Sequence, residues 1–514
     1  MNNNVKKFYI TTPIYYVNDK PHIGHAYTTL LGDVLAGYHR LFEEDTFFLT
    51  GTDEHGQKVE KAAYKRGVSP KEHSDEYVQR FKQLWEKLSI KNDDFIRTVE
   101  PRHKRVVRAV LIDLYKKGDI YKGSYTGWYC TPCERFFTEK DLVAGLCPEC
   151  ERTVEEIQED NYFFAMSKYQ QWLIDYIKKN PGFIQPDFRR NETLGFLQKK
   201  LGDLCISRPK KRLSWGIELP FDPDYVCYVW FDALINYISA IGYKSENERF
   251  RHWWAVDYHL IGKDILTTHT VYWPTMLKAI GIDQPKTIFA HGWWLIDGGK
   301  ISKSKGNAVD PLSLLDKYGV DAFRYFLLAD MSLGQDAAFS EERFVARYNS
   351  DLANNLGNLA NRIVKLIDSS CNGIIPAVNR DNPIDKKLRD EIVDIAESVE
   401  HDVAGLRIDT VISKVIKGCS LINQYLEKTE PWKLRKNELE KERLEDVLGI
   451  SIEALRIVSG LLFPIIPEKI TRLRECIGFT EAEKIPSYRN LKDWGHLLRG
   501  KKVNVGKVLF PRIE

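Results

Sequence analysis

Hydrophobic residues along this chain change their period, and the change divides it into two parts. Phe8-Tyr9-Ile10-Thr11-Thr12 is a β-rich run, a polar turn follows at Asn18-Asp19-Lys20-Pro21, and Gly24 to Phe42 has the apolar spacing of an amphipathic helix. Thr46 to Thr50 and Lys286 to Ala290 read as further strands of an open α/β sheet. From about Phe344 onward strand-like runs become scarce until the last residues. Leu352, Leu356, Leu359, Ile363 and Leu366 recur at spacings of four, three, four and three, an apolar helix stripe. On the opposite face of that helix Asn354, Asn358 and Arg362 form a polar ladder. Such ladders are ordinarily solvated, but this one lacks the usual Lys/Glu mixture, and amide and guanidinium groups can read the edges of unstacked bases.

Composition narrows the setting. With 514 residues and 59.7 kDa the chain is long enough for three or more domains. A net charge of +3 excludes a global cationic field, so any nucleic-acid contact must use local faces. Charged residues make up 29% of the chain, no run is long and apolar enough to span a membrane, and Met1 to Lys7 leads into the first strand without an apolar leader. These features predict a cytoplasmic protein.

Cysteine spacing adds a metal. Cys130-Thr131-Pro132-Cys133 and Cys147-Pro148-Glu149-Cys150 are two C-x2-C pairs with thirteen residues between them. Each pair can set two thiolates on one ion, and a filled tetrahedral Zn2+ is structural because it leaves no position for water. Cys205, Cys227, Cys371, Cys419 and Cys476 are scattered and read as small buried hydrophobes.

Two distant segments carry the chemistry. Pro21-His22-Ile23-Gly24-His25 lies where a strand hands over to a helix, a place that offers free N–H groups and the positive end of the helix dipole to phosphate oxygens. Gly24 lets a nucleotide approach the backbone closely, and His22 and His25 can donate to an α-phosphate that gains charge under attack. The second segment runs from the strand at Lys286 through His291-Gly292-Trp293-Trp294-Leu295 and a Gly298-Gly299 turn to Lys300-Ile301-Ser302-Lys303-Ser304, ending at Gly306-Asn307. Glycines on both sides make it a loop able to close over β- and γ-phosphates, with Lys303 as the main catalytic lysine.

These segments resemble the two signatures of class I aminoacyl-tRNA synthetases, with Ile301 where the family's lysine motif has Met. Within that class the whole chain is similar to the bacterial methionine-specific family. The resemblance implies a Rossmann-like parallel-sheet catalytic domain, an inserted zinc-knuckle connective-peptide domain and a C-terminal α-helical bundle. The spans are 1–118 and 225–299 for the two catalytic halves, 119–224 for the insertion, 300–343 for the lysine loop and stem-contact segment, and 344–514 for anticodon binding.

It also implies the substrates: ATP as MgATP, L-methionine and tRNA(Met). Catalytic residues are then His22, His25, Lys300 and Lys303, joined in ATP binding by Gly24 and Gly292. Asp53, in Gly51-Thr52-Asp53-Glu54-His55-Gly56, takes the ammonium, at the carboxyl end of a strand where open α/β sheets bind ligands. Pro13, Ile14, Tyr16, Trp230, Ala233, Leu234, Tyr237, Ile265 and His269 form a thioether pocket, aromatic walls plus a donor suiting a polarizable weak acceptor. Arg208 matches a family active-site arginine. Asn354, Asn358, Arg362, Pro431 and Trp432 meet the anticodon, the indole serving as a stacking platform.

Cys130, Cys133, Cys147 and Cys150 hold Zn2+ in this reading, and the chain acts as a monomer without a further C-terminal domain. Asn437 to Arg443 reads as a plain solvated helix. The nearest alternatives are class I synthetases for valine, isoleucine, leucine or cysteine, of which the first three usually carry a far larger editing insertion; a silent RNA-binding paralogue has no need of the histidines and lysines, and a small-molecule nucleotidyltransferase does not account for the ladder and Trp432.

Overall fold

The computed structural model describes residues 5–130, 135–137, 139–148, 150–296, 299–300, 310–379, 382–495 and 498–513. Six strands form its main sheet: β1 (Lys7–Tyr16), β2 (Asp45–Asp53), β3 (Asp94–Arg97), β4 (Ile184–Gln185), β5 (Tyr258–Gly262) and β6 (Thr287–His291). Their order is β3-β2-β1-β5-β6-β4, and every pairing is parallel. The near-continuous burial of β1 and β6 is what a parallel strand covered on both faces requires. Strand order reverses between β1 and β5, which opens a crevice at the carboxyl ends where such sheets bind ligands.

Two local features shape that crevice. The β1–β2 register shifts between Thr11 and Ile14, where Pro13 brings no N–H to the ladder. Past the shift, Ile14, Tyr15 and Tyr16 pair with Gly51, Thr52 and Asp53. Gly51 is needed because β3 passes so close that a Cβ would stand 2.1 Å from the Ile96 carbonyl oxygen.

Helix α1 (Ile23–Leu41) follows β1 and is buried along nearly all its length. The reason lies in the C-terminal region. Helices Pro383–Ala404, Ile408–Thr429 and Lys441–Leu461 pack on one another, and the last is buried at every position from Val447 to Leu461. That bundle and α1 share one continuous hydrophobic core, while the opposite sheet face packs with the insertion. The Tyr38 hydroxyl on α1 donates to the Leu461 carbonyl at 2.9 Å. Arg324, fully buried, donates to Asp33 of α1 and to the carbonyls of Leu88, Pro464 and Ile465, all at 2.8 Å. These bonds and the shared core pack the bundle and the sheet as one body.

The insertion is built on the antiparallel pair Ile120–Cys130 and Glu155–Phe164, flanked by Arg135–Phe137 and Leu204–Cys205. A smaller sheet joins Ser207–Pro209, Asp222–Cys227 and Glu218–Leu219. Between Glu155–Phe164 and Leu204–Cys205 the chain returns β4 to the outer edge of the main sheet, where Ile184 pairs with Ile288.

The sequence pattern of the helical region holds: Leu352, Leu356, Leu359 and Ile363 are buried and Leu366 is half-buried. Two expectations change. Arg443 is not an idle solvated charge, because it grips the buried Asp385 carboxylate with its two terminal guanidinium nitrogens at 2.5 and 2.8 Å, and Tyr425 donates to the same carboxylate. Cys205, Cys227 and Cys419 are buried, but Cys371 and Cys476 are only half-buried at the bundle's rim. Among the described residues no helix is long and apolar enough to cross a membrane.

Candidate functional site

The histidine motif caps its own helix. His22 is the N-cap of α1: its Nδ1 accepts from the Gly24 N–H at 3.1 Å, and His25 Nδ1 accepts from the His22 N–H at 3.2 Å. A nitrogen that accepts carries no proton, so in the neutral rings Nε2 is the protonated nitrogen on both. The imidazoles stack with centroids 3.7 Å apart. Gly24 serves this cap as well as any nucleotide, since a Cβ there would meet the His22 ring at 3.0 Å. The result is a pair of N–H donors at the positive end of a 19-residue helix.

Beside it arrives the strand that leads to the lysine segment. His291, the last residue of β6, has its Nε2 2.8 Å from the Thr28 hydroxyl on α1, and its ring meets Tyr27 edge-on. Buried Gly292 is obligatory for packing, because a Cβ would lie 2.1 Å from the Gln335 carbonyl oxygen. Trp294–Ile296 then pairs with Gly299–Lys300, Leu295 opposite Lys300. The backbone of Lys300 thus lies on a hairpin launched next to the first turns of α1. Lys303, with Gly298 and Gly306, lies outside the described residues.

The proposed amino-acid residues converge at the ends of β1, β2 and β5. Asp53, buried, pairs with Tyr16 across the strands, and the Tyr16 ring meets Trp230 edge-on at 6.1 Å. Trp230, Ala233 and Leu234 share the short helix Val229–Leu234, and Tyr237 follows on the next turn of chain. The Tyr237 hydroxyl is 2.8 Å from His269 Nε2, and His269 Nδ1 donates to the Ile265 carbonyl at 3.0 Å. Ile14 and Ile265 are half-buried against the same core, and Pro13 is buried at the strand shift. Burial pushes His269 down to about 4, the Ile265 carbonyl only partly opposing it, so this imidazole is uncharged at neutral pH. His269 lies in a π-helical turn, Thr268–Tyr272, a distortion frequent at functional sites.

His259 supports this site without a sequence signature, and Arg208, singled out above, joins it. His259 lies 4.1 Å from the Tyr237 ring and is held at Nδ1 by Thr11 and at Nε2 by the Trp273 indole N–H. Burial, then His269, pushes His259 far below the ordinary histidine range. Arg208 is buried, donates to the Ser207 carbonyl, and lies over the rings of Tyr129 and Tyr228. It therefore links the insertion's Tyr129 to the segment that carries Trp230.

Tyr129 adjoins the cysteine cluster. The Sγ atoms of Cys130, Cys147 and Cys150 all lie within 4.8 Å of one another, Cys130 and Cys150 at 3.5 Å. That is the spread of thiolates around one tetrahedral Zn2+ with bonds of about 2.3 Å. Cys133 lies outside the described residues.

Farther along, Asn354 and Asn358 are exposed on the helix that starts as a π-helix, Tyr348–Gly357, and continues as Asn358–Ser370. Arg362 donates to Asn423 at 2.6 Å and to Glu427 at 2.9 Å, and its guanidinium stands 5.9 Å from the Trp432 ring centroid. Asn423 in turn donates to Asn355 at 3.0 Å. Pro431 opens the short helix that presents Trp432. The helical period gave the ladder but not Asn423 and Glu427, which come from another helix.

A nucleotide crevice at the switch point of a parallel sheet, with an imidazole pair at a helix start beside a lysine-bearing hairpin, defines a class I aminoacyl-tRNA synthetase. Residues 8–364 match the family model of class I tRNA synthetases (M), and residues 375–514 match the anticodon-binding domain of methionyl tRNA ligase. The methionine-tRNA ligase of Caldanaerobacter subterraneus subsp. tengcongensis is 47% identical over 510 residues, 99% of this chain and 79% of that relative. That of Thermotoga maritima is 45% identical over 512 residues, 99% and 80%. Mycobacterium tuberculosis methionyl-tRNA synthetase in complex with methionyl-adenylate superimposes with a TM-score of 0.95 at 37% identity, covering 99% of this chain and 100% of that one. Its apo form gives 0.87 at 34% identity, covering 100% and 99%. The chain belongs to the methionine-tRNA ligase family.

Proposed function

We propose that the chain charges tRNA(Met) with methionine in two steps on this one site. In the first, the methionine carboxylate attacks the α-phosphorus of ATP; the new O–P bond forms as the bond to pyrophosphate breaks, giving methionyl-adenylate. Asp53 holds the ammonium, and the pocket of Ile14, Tyr16, Trp230, Ala233, Leu234, Tyr237, Ile265 and His269 holds the thioether, with Pro13 fixing the strand end that carries Ile14 and Tyr16. His22 and His25 donate from Nε2 to the α-phosphate oxygens as charge accumulates there, which is where preorganised donors lower a barrier most. Lys300 and Lys303 neutralise the β- and γ-phosphates, whose Mg2+ shares that charge. In the second step a ribose hydroxyl of the terminal tRNA adenosine attacks the activated carbonyl, takes the methionyl group and releases AMP. No protein nucleophile is needed; positioning and charge carry the rate.

The observation that carries this reading is Tyr16, which is the neighbour of Asp53 in the sheet and meets Trp230 through its ring. Tyr16, the last residue of β1, supports an acidic group for an amine and an aromatic wall for a thioether in one crevice, a short turn ahead of the histidine cap. For zinc, Cys130, Cys147 and Cys150, joined by Cys133 through its place in the motif, supply a closed thiolate set that braces the insertion and leaves no coordination position for substrate. Asn354, Asn358, Arg362 and Trp432 read the anticodon, with Pro431 setting the entry of the tryptophan.

Lys303→Ala tests the reading. Methionine-dependent pyrophosphate exchange is expected to fall by roughly a hundredfold or more while methionine binding stays nearly unchanged. Unaltered exchange kinetics refute the assignment.

A further inference from the structure

One buried charged array has no part in the steps above. The Asp232 carboxylate is fully buried between two equally buried imidazoles: His55 Nδ1 is 2.6 Å from its Oδ2 and His103 Nε2 is 2.7 Å from its Oδ1. His103 Nδ1 continues to the Ser239 hydroxyl at 2.8 Å. Burial alone would raise the Asp232 carboxyl, but His55 and His103 outweigh it and hold it down to about 2, so it is an anion throughout the working range. Replacing such an array by well-packed apolar groups is often neutral or stabilising, so stability alone does not account for it.

Its placement does. His55 stands two residues after Asp53 on the loop that ends β2, and Asp232 stands between Trp230 and Ala233 on the helix Val229–Leu234. The bond between them ties the segment assigned to the ammonium directly to the segment assigned to the thioether. The loop is clamped on its other side too, because Glu54 accepts from Arg97 through both carboxylate oxygens at 2.7 Å. His103, from helix Pro101–Lys116, anchors Asp232 from behind. Short charge-assisted bonds of this kind fix a distance more firmly than apolar contact, which tolerates sliding.

We propose that Asp232, with His55 and His103, is a positioning device that sets the separation between the ammonium clamp at Asp53 and the side-chain pocket, and so selects amino acids by length. This rests on the reading of Asp53 and Trp230 as methionine-binding. None of the three touches substrate; each acts through a neighbour.

The test is pyrophosphate exchange by the full-length enzyme, with KM for methionine and KM for ATP measured separately. His55→Ala is expected to raise KM for methionine by on the order of tenfold to a hundredfold, as loss of a hydrogen bond to a charged group implies, with KM for ATP unchanged. His55→Asn, whose side-chain amide can reach the place of Nδ1, is expected to recover most of that loss. Asp232→Asn should behave like His55→Ala; because that variant can fail to fold, the two His55 substitutions decide between the outcomes. Equal shifts in both KM values, or a His55→Asn enzyme as impaired as the His55→Ala enzyme, overturn the proposal. Asp53→Asn separates the layers: if it leaves KM for methionine unchanged, the ammonium assignment falls and the proposal with it. If it raises that KM while His55→Ala does not, only the proposal falls.

Discussion

The proposed amino-acid pocket and the proposed anticodon face use similar side chains in opposite surroundings. Each includes a residue on a π-helical segment, His269 on Thr268–Tyr272 and Asn354 on Tyr348–Gly357. Each has an aromatic residue and a charged network behind it. At the pocket that network is sealed: Asp232, His55 and His103 are all buried. At the anticodon face Asn354 and Asn358 are exposed, and the Arg362–Glu427 pair is 31% and 63% exposed. A small molecule with one apolar side chain can be told from its analogues only by an enclosed cavity of fixed length, because a methylene is worth only about 1 to 3 kcal/mol. A base on a flexible tRNA loop is read from open platforms, since it must arrive with its sugar and phosphate attached.

If that contrast is sound, equal chemical changes have unequal costs in the two regions. The largest is Asp232→Asn, expected to lower unfolding free energy by about 3 to 5 kcal/mol at neutral pH, the cost of leaving buried partners of a charge uncompensated. The sign of its pH dependence follows from the carboxyl held at about 2, below its ordinary 3.8. Its stabilising contribution is complete above the ordinary value and is lost as pH falls through about 2. In urea denaturation the gap between wild type and variant should therefore stay constant from neutral pH down to mildly acidic solution and narrow below about pH 4.

Trp432→Ala comes next. Loss of one stacking platform, about 1 to 3 kcal/mol, should cut tRNA aminoacylation roughly tenfold to a hundredfold while leaving pyrophosphate exchange intact. Equal loss in both assays would mean that the indole only packs the bundle and that the two regions are not separate. The smallest effect belongs to Asn423→Ala, which frees Arg362 from one side. A neutral–charged hydrogen bond near solvent contributes about 1 kcal/mol, so KM for tRNA should rise only severalfold and thermal stability should hardly move.

Legibility from sequence differed between the regions for a physical reason. The ladder Asn354, Asn358, Arg362 was readable because helical spacing alone puts those residues on one face opposite Leu356. The capping role of His22 was half readable: a strand-to-helix junction was evident, but the Nδ1 bonds that fix which imidazole nitrogen carries the proton were not. Asp232 lay in plain view between Trp230 and Ala233, and His55 just after Asp53, yet nothing local joins positions 55, 103 and 232. Arg443 misled for the same reason, as its mixed-charge stretch looks solvated until Asp385 is brought beneath it.

By itself the sequence determined where strands pass to helices, and it singled out candidate residues for a triphosphate and for a shared ion, because turn chemistry, periodicity and ligand spacing act over a few residues. Only the tertiary structure decided that α1 shares its core with the C-terminal bundle, that β4 from the insertion completes the main sheet, and that one buried carboxylate ties the loop after β2 to the wall of the pocket. Those contacts join residues more than a hundred positions apart, and burial, which makes them strong, has no local pattern to announce it.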